Sequence, residues 1–139
     1  MEKKKILLVD DDPGVLECLH EILSRQGYEP ASCSNASSAL ALVSSGAPFA
    51  LAIIDLILPD MNGLECHARI KQLRPDLPCI VATGHCSVES YLTALSNGVF
   101  EYLNKPFRSR ELQAVVGAAI GKAASLAQGR PDPGNVSPN

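Results

Sequence analysis

Short runs of unbroken apolar residues alternate along this chain with longer stretches whose apolar positions recur every three or four residues. Lys5 to Val9, Phe49 to Ile54 and Cys79 to Thr83 lack polar–apolar alternation, the pattern of strands covered on both faces. Glu29 to Ser34 reads as a weaker strand and Phe100 to Leu103 as a short one. Between them lie helical periods. Val15, Leu16, Leu19, Ile22 and Leu23 form a stripe on a helix that Pro13 opens near residue 13 and Gly27 closes after about Gln26. Asn35 caps a helix from Ala36 to Ser45, ended by Gly46 and Pro48. A third runs from Gly63 to about Leu73 with Leu64, Ala68 and Ile70 inward, before Pro75 and Pro78 break the chain. A fourth spans roughly Val88 to Ser96 and stops at Asn97-Gly98. The last, Ser109 to Leu126, packs through Leu112, Val115, Val116, Ala119 and Ile120, and its Gly117 and Gly121 mark close packing or weak helicity.

Five strands alternating with five helices predict an α/β fold, a doubly wound parallel sheet with helices on both faces. Parallel neighbours need crossover helices, and the crossovers are right-handed. Residues 1–126 form one domain. Residues 127–139 have no periodicity and carry three prolines, which predicts a disordered tail or the start of an interdomain linker.

Composition narrows the function classes. A net charge of −3 gives no basic surface for direct nucleic-acid contact, and Lys3-Lys4-Lys5 reads as a solvated chain start. No segment approaches the roughly 20 apolar residues of a membrane span. The strand pattern begins by Ile6, leaving no room for a signal peptide, so a cytoplasmic location is expected. The five cysteines (Cys18, Cys33, Cys66, Cys79, Cys86) show neither metal-site spacing nor an even disulfide framework. They read mostly as small buried hydrophobes, with Cys86 the more exposed.

The polar residues that stand out lie where the apolar runs end. Asp10 and Asp11 finish the first strand, Asp55 the third and Thr83 the fourth, and Lys105 follows the fifth. In an open parallel sheet the functional cleft lies beyond the carboxyl ends of the strands. Carboxylates converging there within ~4–5 Å repel by ~4 kcal/mol per pair at an effective dielectric near 20. Either their pKa values rise or a cation joins them, and hard oxygen ligands with open positions suit Mg²⁺. A carboxylate can attack phosphorus, with the metal, a hydroxyl and an ammonium stabilising the developing charge.

With these residues in place, the chain resembles a response-regulator receiver domain of two-component signalling. The matching segments are Ile6-Leu7-Leu8-Val9-Asp10-Asp11, Asp55-Leu56-Ile57-Leu58-Pro59-Asp60-Met61-Asn62-Gly63, Ala82-Thr83-Gly84 and Tyr102-Leu103-Asn104-Lys105-Pro106-Phe107. The resemblance covers residues from about 4 to 125. It implies a flavodoxin-like sheet ordered 2-1-3-4-5 and a regulatory domain, not an enzyme. It implies that Asp55 accepts a phosphoryl group from a sensor histidine kinase or phosphotransfer protein. Mg²⁺ (or Mn²⁺) would be bound by Asp10, Asp11, Asp55 and the Ile57 backbone carbonyl. Thr83 would bond the phosphoryl oxygen and Lys105 pair with it. Thr83 moving inward would draw Tyr102 from exposed to buried, altering the face built by the fourth helix, fifth strand and fifth helix. That face would control an output domain or downstream protein, and could pair two copies of the chain. The Lys105-Pro106 bond would be cis. Ile57 and His85 fall on the positions that tune hydrolysis, and apolar Ile57 predicts a long-lived phosphoryl state. Asp12 reads as a helix-start charge.

Two rival readings differ in class. Asp10 and Asp12 form the Asp-x-Asp that opens the haloacid-dehalogenase-like phosphatase pattern, with nucleophile first and general acid second. Here Pro13-Gly14 follows, only Glu111 and Asp132 lie beyond Lys105, and Asp55 would be idle. A receiver-like scaffold that is never phosphorylated is the other, and the complete set of acids, Thr83 and Lys105 argues against it.

Overall fold

The computed structural model describes residues 2–127. Of the tail expected over residues 127–139, Ala127 belongs to the last helix and 128–139 lie outside the described residues. Five strands, β1 (Lys5–Val9), β2 (Glu29–Cys33), β3 (Phe49–Ile54), β4 (Cys79–Thr83) and β5 (Glu101–Asn104), alternate with five helices. The helices are α1 (Pro13–Arg25), α2 (Ala36–Ser44), α3 (Gly63–Leu73), α4 (Val88–Ser96) and α5 (Ser109–Ala127). All strand pairs are parallel in one sheet ordered β2-β1-β3-β4-β5, as expected.

Unbroken apolar strands arise because both faces of the sheet are covered. Ile6 and Leu8 join Leu19, Leu23, Leu112 and Val116 on the side of α1 and α5. Leu7 and Val9 join Ala39, Val43, Cys66 and Ile70 on the side of α2 and α3. Each Leu, Ile or Val among them contributes about 1.5–3 kcal/mol when fully buried. Helix starts follow the caps: Asp12 accepts from the Gly14 and Val15 amides with Pro13 next to it, and Asn35 accepts from the Ser38 amide. Ser87 and Ser90 cap α4 reciprocally. Gly98 ends the turn after α4 at φ 83°, where a side chain would be strained.

Two expectations fail locally. Ala68 is exposed, and the inner face of α3 is Gly63, Cys66, His67 and Ile70. Those four sit three and four residues apart, and Ala68 lies off that stripe. Burial, with Lys71 nearby, pushes His67 below its ordinary pKa. Gly117 and Gly121 are exposed, and a Cβ on either would meet nothing within 4 Å, so neither marks close packing. Cys33, Cys66 and Cys79 are buried, while Cys18 and Cys86 are exposed. Burial pushes the Cys66 thiol up to about 11 and Cys79 up to about 12, leaving both protonated. Among the described residues no helix is long and apolar enough to cross a membrane.

Candidate functional site

Strand register brings the acids together. Val9 pairs with Ile54, so Asp10 and Asp55 leave neighbouring strands at the same level. The Asp55 amide donates to the Val9 carbonyl (2.9 Å) and the Asp10 amide to the Cys33 carbonyl (3.0 Å). The sheet order reverses between β1 and β3, which opens a crevice at their carboxyl ends. Asp10, Asp11 and Asp55 each offer a carboxylate oxygen within 4.8 Å of the others. Asp10 and Asp55 are buried and Asp11 faces solvent.

Lys105 enters from the other side. Thr83 pairs with Asn104 at the end of β4–β5, and the Lys105 amide donates to the Thr83 carbonyl (2.8 Å). The Lys105 ammonium bridges Asp10 and Asp55, lying 3.2 Å from an Asp55 oxygen. The Lys105–Pro106 peptide is cis. Burial raises the Asp10 carboxyl above its ordinary value, against the hydrogen bonds it accepts from Lys105 and the Asp12 amide. Burial alone would lower the Lys105 ammonium, but the Asp10 hydrogen bond and the two carboxylate charges leave it raised. Three carboxylates against one ammonium leave two negative charges in a crevice of oxygen donors. That donor set fits a hard divalent cation.

The loop after β3 follows Asp55 directly. Ile57 and Asn62 form an antiparallel bridge, and the Gly63 amide donates to the Leu56 carbonyl (2.6 Å). Asn62 caps α3 through the Leu64 amide. Gly63 packs directly on the Asp55 main chain: a Cβ there would run into the Asp55 carbonyl oxygen and lie 2.8 Å from Leu56 Cα. The Ile57 side chain is exposed.

Thr83 is fully buried, and its Oγ1 accepts from the His85 amide (3.1 Å). His85 itself faces solvent. Tyr102, expected to begin exposed, is 7% exposed. Its ring packs edge-on against Tyr91, and its hydroxyl is 2.7 Å from Ser90 Oγ, so the polar tip has a partner inside. Asp12 is spent on capping α1 and is absent from the acid cluster, which removes the general acid that the phosphatase reading requires.

Sequence reasoning passed over Asp60 and Ser90. Asp60 accepts from the Ala36 amide, the Ser37 amide and the Ser37 hydroxyl, bonds that pull its pKa down to about 2. No local pattern announces a contact between residues 24 apart. Ser90 could have been found as the partner of Ser87 at capping-box spacing, though not as the partner of Tyr102.

Comparison with known proteins agrees with this geometry. The response regulator receiver domain family matches residues 6–117. The DNA-binding transcriptional regulator NtrC of Azospirillum brasilense is 39% identical over 120 residues, 86% of this chain and 25% of the relative. The response regulator MprA of Mycobacterium sp. (strain KMS) is 34% identical over 134 residues, 96% of this chain and 55% of the relative. This chain therefore spans about a quarter to a half of the length of these curated relatives. A CheY-like response regulator receiver domain protein from Methanospirillum hungatei JF-1 superposes with a TM-score of 0.85 at 33% identity, over 90% of this chain and 99% of that one.

Proposed function

This chain belongs to the response regulator receiver domain family, a phosphorylation-dependent switch of two-component signalling, and on that premise we propose that Asp55 is its phosphoacceptor. The observation that carries the assignment is the Asp55 carboxylate beside Asp10 and Asp11, with the Lys105 ammonium 3.2 Å away. A sensor histidine kinase or phosphotransfer protein supplies the phosphoryl group. An Asp55 oxygen forms the new bond to phosphorus as the bond to the donor nitrogen breaks. The electron pair leaves on that nitrogen, which takes up a proton. Asp10, Asp11, Asp55 and the Ile57 carbonyl would hold Mg²⁺ (or Mn²⁺), which when bound offsets charge on the transferring phosphoryl oxygens. Lys105 turns from its carboxylates toward the new dianion, and the Thr83 hydroxyl donates to it.

The readout runs through Thr83 and Tyr102 to the face of α4, β5 and α5, where Val88, Tyr91, Leu92 and Leu95 are exposed apolar positions. An output domain, a downstream protein or a second copy of the chain would be controlled there. The domain is regulatory and does no more chemistry than assist its own phosphorylation and its slow reversal. The His85 amide donates to Thr83 Oγ1, and the exposed, apolar Ile57 orients no water, which supports a phosphoryl lifetime of minutes or longer; decay within seconds, followed by intact mass, would contradict it.

Intact-mass measurement after treatment with acetyl phosphate and Mg²⁺ tests the assignment. One added phosphoryl group is expected on the wild type, none on Asp55→Asn and none with a chelator. An unmodified wild type overturns it, and a modified Asp55→Asn moves the acceptor elsewhere.

A further inference from the structure

Asp60 lies on the loop that carries both Asp55 and the Ile57 carbonyl, yet its side chain turns away from the acid cluster. One carboxylate oxygen accepts from the Ala36 amide (2.9 Å), the other from the Ser37 amide (2.9 Å) and the Ser37 hydroxyl (2.7 Å). These amides open α2, whose third amide, Ser38, is taken by Asn35 (2.8 Å). A helix start presents unpaired N–H groups and partial positive charge, so a carboxylate is the favoured occupant. Asn35 alone would serve as an ordinary cap. The cap therefore does not explain why a second acid reaches across from a loop 24 residues further on.

The loop's other anchors make the purpose legible. Leu58 and Met61 sink into the core on the α2–α3 side, on either side of Pro59-Asp60. Apolar contacts of that kind set depth and are indifferent to small lateral slides. The Ile57–Asn62 bridge and the Gly63 contact hold the loop's two arms to each other and to Asp55. Asn62 bonds the loop to α3, which directly continues it, and among these anchors Asp60 alone ties the loop by directional bonds to an element distant in the chain.

We propose that Asp60 is a positioning residue that, by clamping the loop after β3 to the first turn of α2, sets where the Ile57 carbonyl and the Asp55 carboxylate meet a divalent cation. The proposal rests on the reading of Asp10, Asp11, Asp55 and Ile57 as that cation's ligands. Groups that orient ligands in this way shift metal affinity without touching the metal.

Mn²⁺ alone is the probe, titrated into the full chain while the signal of the free aqueous ion is followed by electron paramagnetic resonance. Asp60→Ala is expected to weaken Mn²⁺ binding about tenfold. Asp60→Asn, which keeps one acceptor oxygen and loses the charge, falls between it and the wild type. Asn35→Ala removes a cap from the same helix without touching the loop; it lowers thermal stability as a lost cap should and leaves the Mn²⁺ affinity within about twofold of wild type, well inside the effect expected of an orienting group. An unchanged affinity in Asp60→Ala, or an equal weakening in Asn35→Ala, overturns the proposal. If Asp60→Ala does not fold, Asp60→Asn decides: weakened binding sustains the clamp and wild-type binding ends it. A wild type that binds no Mn²⁺ removes the underlying ligand reading, whereas equal Mn²⁺ binding by the wild type and Asp60→Ala removes the clamp alone.

Discussion

The hydroxyls of Ser90 and Tyr102 lie 2.7 Å apart, joining the first turn of α4 to the aromatic side chain of β5. Ser90 Oγ also lies 3.1 Å from the Ser87 carbonyl. Either hydroxyl can donate in the pair, and the contacts link Tyr102 through Ser90 to the Ser87 cap of α4. Ser90→Ala and Tyr102→Phe are each expected to lower stability by about 1 kcal/mol. The double variant should lose less than their sum, because either change already breaks the shared bond. Urea denaturation of the four proteins measures the coupling.

Lys105 is the cation between two buried carboxylates. Lys105→Ala leaves Asp10 and Asp55 facing each other unpaired, and should destabilise the metal-free protein by about 3 kcal/mol at neutral pH. Added Mg²⁺ should restore part of that loss by supplying the missing positive charge. Thermal melts with chelator and with Mg²⁺ check both halves.

Gly63 has no room for a side chain. Gly63→Ala forces the start of α3 off the Asp55 main chain, at a cost of about 3 kcal/mol. Phosphoryl uptake should fall with it, since the displaced atoms belong to the acceptor's own backbone. Denaturation and intact mass read the two effects separately.

Asp60 sets an acid-side dependence. Its hydrogen bonds to Ala36 and Ser37 lower its pKa from 3.8 to about 2. A depressed folded-state value means the carboxylate stabilises the fold above about pH 4, and the contribution is lost as pH falls toward 2. Asp60→Asn should flatten that part of the stability curve and leave the neutral region nearly parallel to wild type. The Arg74-bonded Asp76 is lowered too, so some acid dependence remains in the variant.

Much of this protein is legible without coordinates. Strands with no alternation must be covered on both sides, and the bounds of β1, β3 and β4 match their apolar runs. Once the sheet is parallel, the carboxyl ends of its strands share one edge. Asp10, Asp11, Asp55, Thr83 and Lys105 are neighbours in space for that reason alone. Tertiary structure decided what depends on pairs of residues far apart in the chain or on which side of a helix faces in. Asp60 reached α2, Ser90 reached Tyr102 and kept it buried, and His67 took the inward place expected for Ala68. A short periodic pattern fixes the existence of a helix better than its rotation, and hydrogen bonds across 12 or 24 residues leave no mark on local composition. They form because packing brings the groups together, and only then can a carboxylate find a helix start or a hydroxyl find its partner.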